Sequence, residues 1–281
     1  MGKRAGREVV MAARRKRGWA MAFCVLVLRR PLMLVTRRDW RRGQQIPSDG
    51  GCVVVTNHVS EIDACTFAHF VYDQGRLPRF LGKAEVFKVA VVGAILRSAG
   101  QIPVFRRSSD ASQAFSAAVA AVESGECVVF YPEGTLTRDP GLWPMVGRTG
   151  AVRVALMTGC PVIPTAQWGP NEILPPYARR PRLFPRKVMH VYAGSPVDLS
   201  DLEGKPLSPE TLQLGTQRVM AAITSLLEEI RGESAPPERF DPRSAGVSEL
   251  GNPNKPRGPS SAAGDTASAG ARDPEERDKP A

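Results

Sequence analysis

Between residues 43 and 231, short apolar runs alternate with longer stretches whose apolar positions recur at helical spacing. The short runs predict strands at Val53–Thr56, Arg79–Gly82, Ile102–Val104, Cys127–Tyr131, Val162–Ala166 and Val188–Tyr192, of which the β-branched run Val53–Val55 indicates a buried strand. The amphipathic stretches predict helices at Glu61–Tyr72, Val86–Ser98, Ala111–Ser124, Gly150–Thr158 and Pro209–Ile230. Strands that alternate with helices indicate an α/β fold with a mostly parallel central sheet flanked by helices.

The first 42 residues have a different pattern. A basic stretch precedes ten apolar residues, Trp19–Leu28, and Arg29-Arg30-Pro31 then interrupts the run. A membrane span needs about 20 apolar residues, so this segment predicts N-terminal helices that lie in the membrane interface. A disordered basic arm that packs on the protein or binds nucleic acid is the alternative interpretation.

Charge and composition divide the chain into three parts. Residues 1–42 carry 13 lysines and arginines against two acids, whereas the other 239 residues are close to neutral. From residue 232 to 281 the chain is rich in proline, glycine, serine and alanine, which predicts a disordered tail. Residues 43–231 are therefore expected to form the folded domain. Five scattered cysteines without close pairs argue against a disulfide framework or a zinc site.

A histidine and an aspartate stand where the first of these core strands passes into a helix. His58 follows the strand directly, and Asp63 comes five residues later in the first helical turn. With Ser60 as the N-cap, the Asp63 carboxylate faces the strand exit and orients the His58 ring as a general base. The competing interpretation is a capping box, in which Asp63 only serves the helix N-terminus.

Two further stretches have polar or charged residues directly after a predicted strand. Glu133-Gly134-Thr135 follow a strand in a turn whose glycine permits close backbone approach, and turn amides suit a phosphate or an oxyanion. Arg106 and Arg107 follow a strand at the sheet edge where ligands of open α/β folds bind. An ordinary loop and a solvated basic pair are the respective alternatives.

Taken together, these stretches resemble the four sequence blocks of the glycerophospholipid acyltransferase family, in particular the 1-acylglycerol-3-phosphate O-acyltransferases. His58 to Asp63 is similar to the family's His-x-x-x-x-Asp signature, and Gly100–Arg106 to the second block. Pro132–Thr135 resembles the third block and Pro161–Pro164 the fourth. The resemblance covers about residues 50 to 195, and Lys83 also falls where the family often has lysine.

The resemblance implies acyl transfer from acyl-CoA or acyl carrier protein to the free sn-2 hydroxyl of lysophosphatidic acid, giving phosphatidic acid. It implies His58 and Asp63 as catalytic residues, with Arg106, Arg107, Lys83, Glu133, Gly134 and Thr135 on the substrate. No metal or other cofactor is expected. The expected partners are the acyl donor, the lysophospholipid and a phospholipid membrane surface, with no nucleic acid. The expected location is the cytoplasmic face of the cell membrane, as a monotopic or peripheral protein.

The chain departs from the family pattern at two positions. Leu136 stands where the third block often has arginine, with Arg138 two residues later, and Phe105 stands where the second block often has an acid. Two other activities remain open, namely acylation of another lysolipid or glycolipid, and hydrolysis of the thioester. The chain has no Gly-x-Ser-x-Gly nucleophile elbow.

Overall fold

The computed structural model of the protein describes residues 29–104, 111–248 and 252. Within these residues one seven-stranded sheet has the order β1-β7-β6-β2-β5-β3-β4. Its strand pairs are parallel except for β6 with β7, which is antiparallel. Helices accompany the sheet, which confirms the predicted α/β fold with a mostly parallel sheet.

The described secondary-structure elements alternate along the chain, with longer connections after β5 and before β7. The strands are β1 Thr36–Arg41, β2 Cys52–Val55, β3 Pro78–Lys83, β4 Ile102–Val104, β5 Cys127–Phe130, β6 Val162–Trp168 and β7 Lys187–Ala193. The helices are α1 Arg30–Val35, α2 Asp63–Asp73, α3 Ala84–Phe87, α4 Ala90–Ser98, α5 Ala111–Glu123, α6 Gly150–Thr158, α7 Pro170–Ile173 and α8 Pro209–Arg231.

The central strand β2 is buried on both faces, and this determines where the chain leaves the sheet. Val53 and Val55 belong to one apolar cluster, and Cys52 and Val54 to another. Strands that bury alternate residues in two cores are typical of sheets covered on both sides. His58 therefore emerges beyond the carboxyl end of a strand whose four residues are all buried.

The helix expected over Val86–Ser98 is two helices, α3 and α4, because the backbone at Val89 is extended. The valines of this region are also largely exposed, with Val91 at 71% and Val89 at 55%. In the sequence, the apolar run Val89–Leu96 is typical of a buried core helix or of the wall of an acyl-chain groove. The exposed valines exclude a fully buried helix.

The amino-terminal boundary of the folded unit lies before residue 43. Residues Thr36–Arg41 form β1, which pairs with β7 in parallel register, so they belong to the sheet and not to a separate docking segment. The strand was missed because it is an edge strand whose arginines disrupt any apolar alternation. Residues 1–28 of the predicted interfacial segment lie outside the described residues. Among the described helices, none has the length and apolar character needed to cross a bilayer.

The structure also differs from the expectation of disorder directly after residue 231. The amide of Ala235 donates to the Glu228 carboxylate at 2.8 Å, and the amide of Val146 donates to the Phe240 carbonyl at 3.1 Å. The beginning of the predicted tail thus packs on the domain. From residue 253 onward the tail lies outside the described part of the chain.

Candidate active site

The backbone before His58 is held by hydrogen bonds between Asn57 and Gln167 at the end of β6. The Asn57 side chain accepts from the Gln167 amide at 2.8 Å and donates to the Gln167 carbonyl at 3.0 Å. The Gln167 side chain in turn donates to the Asn57 carbonyl at 3.0 Å. This buried exchange extends the β2–β6 pairing past the end of the ladder, so His58 leaves the sheet from a fixed point.

His58 and Asp63 are in direct contact. The Nδ1 atom of His58 lies 2.9 Å from Oδ2 of Asp63, and the same oxygen accepts the amides of Val59 at 2.6 Å and Ser60 at 2.9 Å. Asp63 is the first residue of α2 after the N-cap Ile62, so it occupies N1 and not the expected N3. Complete burial raises the pKa of Asp63, and the His58 ring and the two amides oppose this effect.

This geometry fixes how the ring can act. An ionised carboxylate only accepts hydrogen bonds, so Nδ1 of His58 donates its proton to Asp63 and Nε2 is left to accept one. The His58 side chain is 22% exposed, whereas Asp63 is completely buried. The pair has the arrangement of a general base with a buried orienting carboxylate.

One face of the His58 ring is covered by an aromatic ring. Tyr131 stacks on it with centroids 4.2 Å apart and an angle of 25° between the planes, and Phe80 stacks on Tyr131 with centroids at 6.2 Å. Burial raises the pKa of the Tyr131 hydroxyl well above its usual range, so this residue stays neutral. The stack and the Asp63 contact together limit rotation of the imidazole.

Glu133 has a different place from the one expected. Its side chain is only 3% exposed, and the two carboxylate oxygens accept the amides of His58 at 2.9 Å and Met145 at 3.1 Å. Burial raises the pKa of Glu133 to about 8. The carboxylate therefore points inward and holds the backbone at His58, which is a correction to its expected contact with substrate.

The neighbouring residues of the third block also support His58. The amide of Thr137 donates to the His58 carbonyl at 2.8 Å, and the Gly134 amide donates to the Tyr131 carbonyl at 2.9 Å. The Gly134 amide is thus engaged within its own turn, at a φ of 70°. Thr135 is half-buried in the same turn.

Of the remaining predicted substrate residues, Lys83 lies within the part of the chain that the structure describes and the two arginines do not. Lys83 is exposed at the end of β3, and β3 runs parallel to β5, which itself runs parallel to β2. Lys83 therefore lies at the same carboxyl edge of the sheet as His58. Arg106 and Arg107 lie outside the described residues.

Arg138, the possible replacement for the missing arginine of the third block, is largely buried. Its guanidinium lies over the Tyr177 ring, 4.9 Å from the centroid, and donates to the Tyr177 hydroxyl. The Tyr177 amide donates to the Glu61 carboxylate at 2.9 Å. Arg138 thus joins the third block to the segment after α7, a connection that the sequence analysis missed because the partners are 39 residues apart.

Arg148 was also missed by the sequence analysis. A Cβ built on Gly134 would come within 2.6 Å of Nε of Arg148, so this guanidinium lies against the third-block glycine. The Arg148 amide donates to the Pro132 carbonyl at 2.8 Å. Its place 14 residues after Gly134, in a loop with no regular spacing, left no local signal in the sequence.

All three histidines have an aspartate nearby, but their surroundings differ. His190 lies 2.8 Å from Asp39 between the outer strands β7 and β1. His69 lies 3.8 Å from Asp73 inside α2, where burial lowers its pKa to about 4. Of the three, only His58 stands at the carboxyl end of a central strand, which favours it for chemistry.

Metal ligation has no obvious place among these residues. Within the described residues, no group of three histidine, cysteine, aspartate or glutamate side chains converges on one point. The expectation of a reaction without metal or other cofactor stays a prediction.

A protein-family model described as "Acyltransferase" matches residues 38–168. The match extends from β1 to the end of β6. It includes the His58–Asp63 pair, Lys83, the two arginines after β4 and the Glu133 turn. The residues that the family model matches therefore include the His58–Asp63 pair and the turn that holds it.

Two relatives are named for the same activity. The chain is 33% identical over 130 residues to the chloroplastic 1-acyl-sn-glycerol-3-phosphate acyltransferase BAT2 of Brassica napus, covering 46% of this chain and 36% of that protein. It is 27% identical over 186 residues to the 1-acyl-sn-glycerol-3-phosphate acyltransferase of Bacillus subtilis, covering 65% and 84%. The chain thus spans about a third of the plant protein and most of the bacterial one.

A solved structure has a similar fold. The 1-acyl-sn-glycerophosphate (LPA) acyltransferase PlsC of Thermotoga maritima superposes with a TM-score of 0.58 at 21% identity, over 83% of this chain and 90% of that one. At this level of identity the likeness concerns the arrangement of strands and helices. It agrees with the mixed sheet described above.

Proposed function

Because an acyltransferase family model matches residues 38–168 around the His58–Asp63 pair, we propose that the chain belongs to the glycerophospholipid acyltransferase family and transfers a fatty acyl group to the free sn-2 hydroxyl of lysophosphatidic acid, giving phosphatidic acid. Acyl-CoA or acyl carrier protein supplies the acyl group as a co-substrate. The observation that carries this proposal is the His58–Asp63 contact of 2.9 Å at the carboxyl end of β2. The two relatives named for this activity support it.

In the proposed reaction, Nε2 of His58 takes the proton of the lipid hydroxyl as that oxygen attacks the thioester carbonyl. Asp63 holds Nδ1–H and stabilises the imidazolium that forms. The tetrahedral intermediate then collapses, the carbon–sulfur bond breaks, and the imidazolium returns the proton to the departing thiolate. No covalent acyl-enzyme forms, and no metal or further cofactor takes part.

The general base supplies only part of the rate enhancement. A positioned base contributes roughly 10²–10⁴-fold. The larger share comes from alignment of two bound substrates, for which effective molarities are high. The stacked Tyr131 and the Glu133 carboxylate support this alignment, because they fix the ring and the backbone of His58 before substrate arrives.

Arg106 is the proposed partner of the acceptor's phosphate, and Arg107, Lys83 and the Thr135 turn are further proposed contacts with the substrate. Arginine binds phosphate through a planar fork of donors that stays charged at every physiological pH. The Glu133 carboxylate is not part of this group, because it faces the amides of His58 and Met145.

The bilayer is the proposed location of both lipid substrate and product. Removing a lysolipid from the bilayer exposes its chain to water at about 0.8 kcal/mol per methylene. A catalyst at the cytoplasmic surface of the cell membrane, peripheral or monotopic, avoids this extraction. The basic and apolar residues 1–28 provide one such attachment, since cationic and apolar groups combine in interfacial binding.

The test is a direct assay of the purified full-length protein. One labelled acyl-CoA is offered with lysophosphatidic acid, other lysophospholipids and glycolipid acceptors, and the products are resolved by mass. Phosphatidic acid as the main product supports the proposal. Labelled free fatty acid without a diacyl product would identify a thioester hydrolase, and preference for another acceptor would reassign the substrate.

A further inference from the structure

Residues 179–186, named here the basic loop, form an exposed connection between α7 and β7. The loop contains Arg179, Arg180, Arg182 and Arg186, and no acidic residue occurs between Glu172 and Asp198. Two large apolar side chains accompany the arginines in water: Phe184 is 73% exposed and Leu183 is 39% exposed. An aromatic and an aliphatic side chain in a cluster of uncompensated positive charge is the composition of an interfacial membrane contact.

Sheet topology places the basic loop at the same edge as the candidate active site. β6 is parallel to β2, so its carboxyl end shares the edge with His58. β7 is antiparallel to β6, so β7 begins at that edge, directly after the basic loop. β1 is parallel to β7 and begins there too, which brings the chain that arrives from the N-terminal segment to the same edge.

The basic loop is connected to α1, the helix through which the N-terminal segment enters. The Arg186 guanidinium donates to the carbonyls of Met33 at 2.9 Å and Thr36 at 2.7 Å. On α1 itself, Leu34 is 73% exposed. Leu34 and Phe184 are thus exposed apolar side chains at the same edge of the sheet. The hydrogen bonds of Arg186 join the two segments that carry them.

The segment before the basic loop is bound to the candidate active site. The Ser60 hydroxyl donates to the Leu174 carbonyl at 2.7 Å, and the Tyr177 amide donates to the Glu61 carboxylate at 2.9 Å. Ser60 and Glu61 lie within the His58 to Asp63 stretch. These hydrogen bonds therefore connect the segment before the basic loop to residues beside the His58–Asp63 pair.

We propose that the basic loop is a second membrane-contact site, separate from residues 1–28, which inserts Phe184 and Leu183 into the interface of an anionic bilayer. Its arginines contact the phosphate groups of anionic lipids. The contact orients the carboxyl edge of the sheet, with His58, toward the membrane. This membrane contact goes beyond the proposed function. It rests on that function only because the proposed acceptor is a bilayer lipid.

The first experiment measures partition of the full-length protein onto vesicles of phosphatidylcholine with and without phosphatidylglycerol, at low ionic strength. Replacement of Arg179, Arg180 and Arg182 by alanine is expected to weaken binding to the anionic vesicles roughly a hundredfold. Phe184→Asp is expected to weaken it at least about tenfold. The matched control is Met157→Asp, at a residue 51% exposed on α6 near the opposite edge of the sheet.

The second experiment reports on insertion itself and does not depend on a loss of binding. In a Trp19→Phe background, which removes the tryptophan of the predicted interfacial segment, Phe184→Trp bound to anionic vesicles is expected to show a blue-shifted emission relative to the Trp19→Phe parent and additional quenching by brominated acyl chains. Met157→Trp under the same conditions is expected to show neither change. Unquenched emission from Phe184→Trp on vesicle-bound protein, or equal partition of the loop variants and the Met157→Asp control, would overturn the proposal.

A third measurement separates this proposal from the proposed function. A short-chain lysophosphatidic acid dissolved as monomers requires no membrane, so the loop variants are expected to acylate it at the wild-type rate. Reduced turnover of that soluble acceptor would place the basic loop in the reaction and not in membrane contact. Absence of acyl transfer in the wild type would refute the function, while quenching of Phe184→Trp would still support the membrane contact.

Discussion

The Nδ1 atom of His58 and the Oδ2 atom of Asp63 are 2.9 Å apart, and that oxygen also accepts two backbone amides of the intervening turn. The carboxylate thereby fixes both the imidazole and the loop that carries it. A single buried atom thus links the helix start to the ring that is proposed to move the proton.

Replacement of the general base gives the most direct prediction. His58→Ala is expected to lower kcat at least about 100-fold, and Asp63→Asn to have a similar effect because the ring loses its orienting acceptor. The measurement is steady-state acyl transfer with each variant at saturating substrates. His190→Ala is the matched control, since His190 also contacts an aspartate at 2.8 Å but lies in the outer strand β7. Activity of His58→Ala within tenfold of the wild type would refute the assignment.

The stacked ring of Tyr131 makes a second prediction. Tyr131→Leu is expected to lower kcat roughly tenfold and stability by about 1–3 kcal/mol, because His58 loses the ring beside it and the core loses aromatic volume. Tyr131→Phe keeps the stack and is expected to retain near wild-type turnover. Measurements of kcat and of urea unfolding on both variants check this. Equal losses in the two variants would assign the effect to the hydroxyl.

Glu133 predicts a pH dependence of stability. Burial raises its pKa from 4.5 to about 8, so between these values the folded protein retains a proton that the unfolded chain releases, and rising pH weakens folding. His69, whose pKa burial lowers from 6.5 to about 4, opposes this trend only below pH 6.5. The free energy of unfolding is therefore expected to decline between pH 6.5 and about 8.

Glu133→Gln tests that origin. The variant has no titrating carboxyl, so the decline in the free energy of unfolding from pH 6.5 to about 8 is expected to be shallower. The glutamine side chain has an NH₂ group in place of one carboxylate oxygen, so it cannot accept hydrogen bonds from both the His58 and the Met145 amides. This loss is expected to destabilise the variant by about 1–3 kcal/mol at every pH. An unchanged slope in urea unfolding would exclude Glu133.

The arginines of the second and third blocks are expected to differ in effect. Arg106→Ala is predicted to raise the KM for lysophosphatidic acid roughly tenfold or more and to leave the KM for acyl-CoA near the wild-type value. Arg138→Ala is predicted mainly to reduce stability, because its guanidinium is buried against Tyr177. Initial rates with each substrate varied in turn, together with thermal unfolding, separate the two outcomes. Equal changes in both KM values for Arg106→Ala would remove its phosphate role.

The N-terminal segment is predicted to contribute to membrane attachment. Deletion of residues 1–28 is expected to reduce sedimentation with vesicles that contain anionic lipid, and to leave the fold intact. A deletion to residue 42 is unsuitable, because it also removes β1 from the sheet. Circular dichroism of the shortened protein verifies folding. Undiminished sedimentation of the correctly folded deletion would contradict the predicted role.

Much of the fold and the central pair could be predicted from the sequence, and particular residues explain why. Val53, Val54 and Val55 form a continuous apolar run, which is a strong signal for a strand buried on both faces. The His58–Asp63 contact is local, five residues apart, so strand and helix periodicity was enough to bring the two side chains together.

The features that were missed depend on distant partners or on polar strands. Glu133 contacts the His58 amide across 75 residues, and Asn57 contacts Gln167 across 110, so no local pattern indicates either bond. β1 carries arginines on an edge strand, where pairing with β7 and not apolar alternation determines the structure. Such contacts become visible only when the sheet order is known.

Because β7 runs antiparallel to β6, the basic loop lies at the same edge of the sheet as His58. The opposite edge is therefore available for attachment of the protein to a surface. The turn between α6 and β6 lies at the amino edge of the sheet, and a side chain built on Gly159 would meet no atom within 4 Å. A short affinity tag inserted there would leave His58 and the basic loop unobstructed on the far edge. Protein immobilised through that tag would present its reactive edge to a supported bilayer, so that adsorption and turnover can be recorded on one sensor surface.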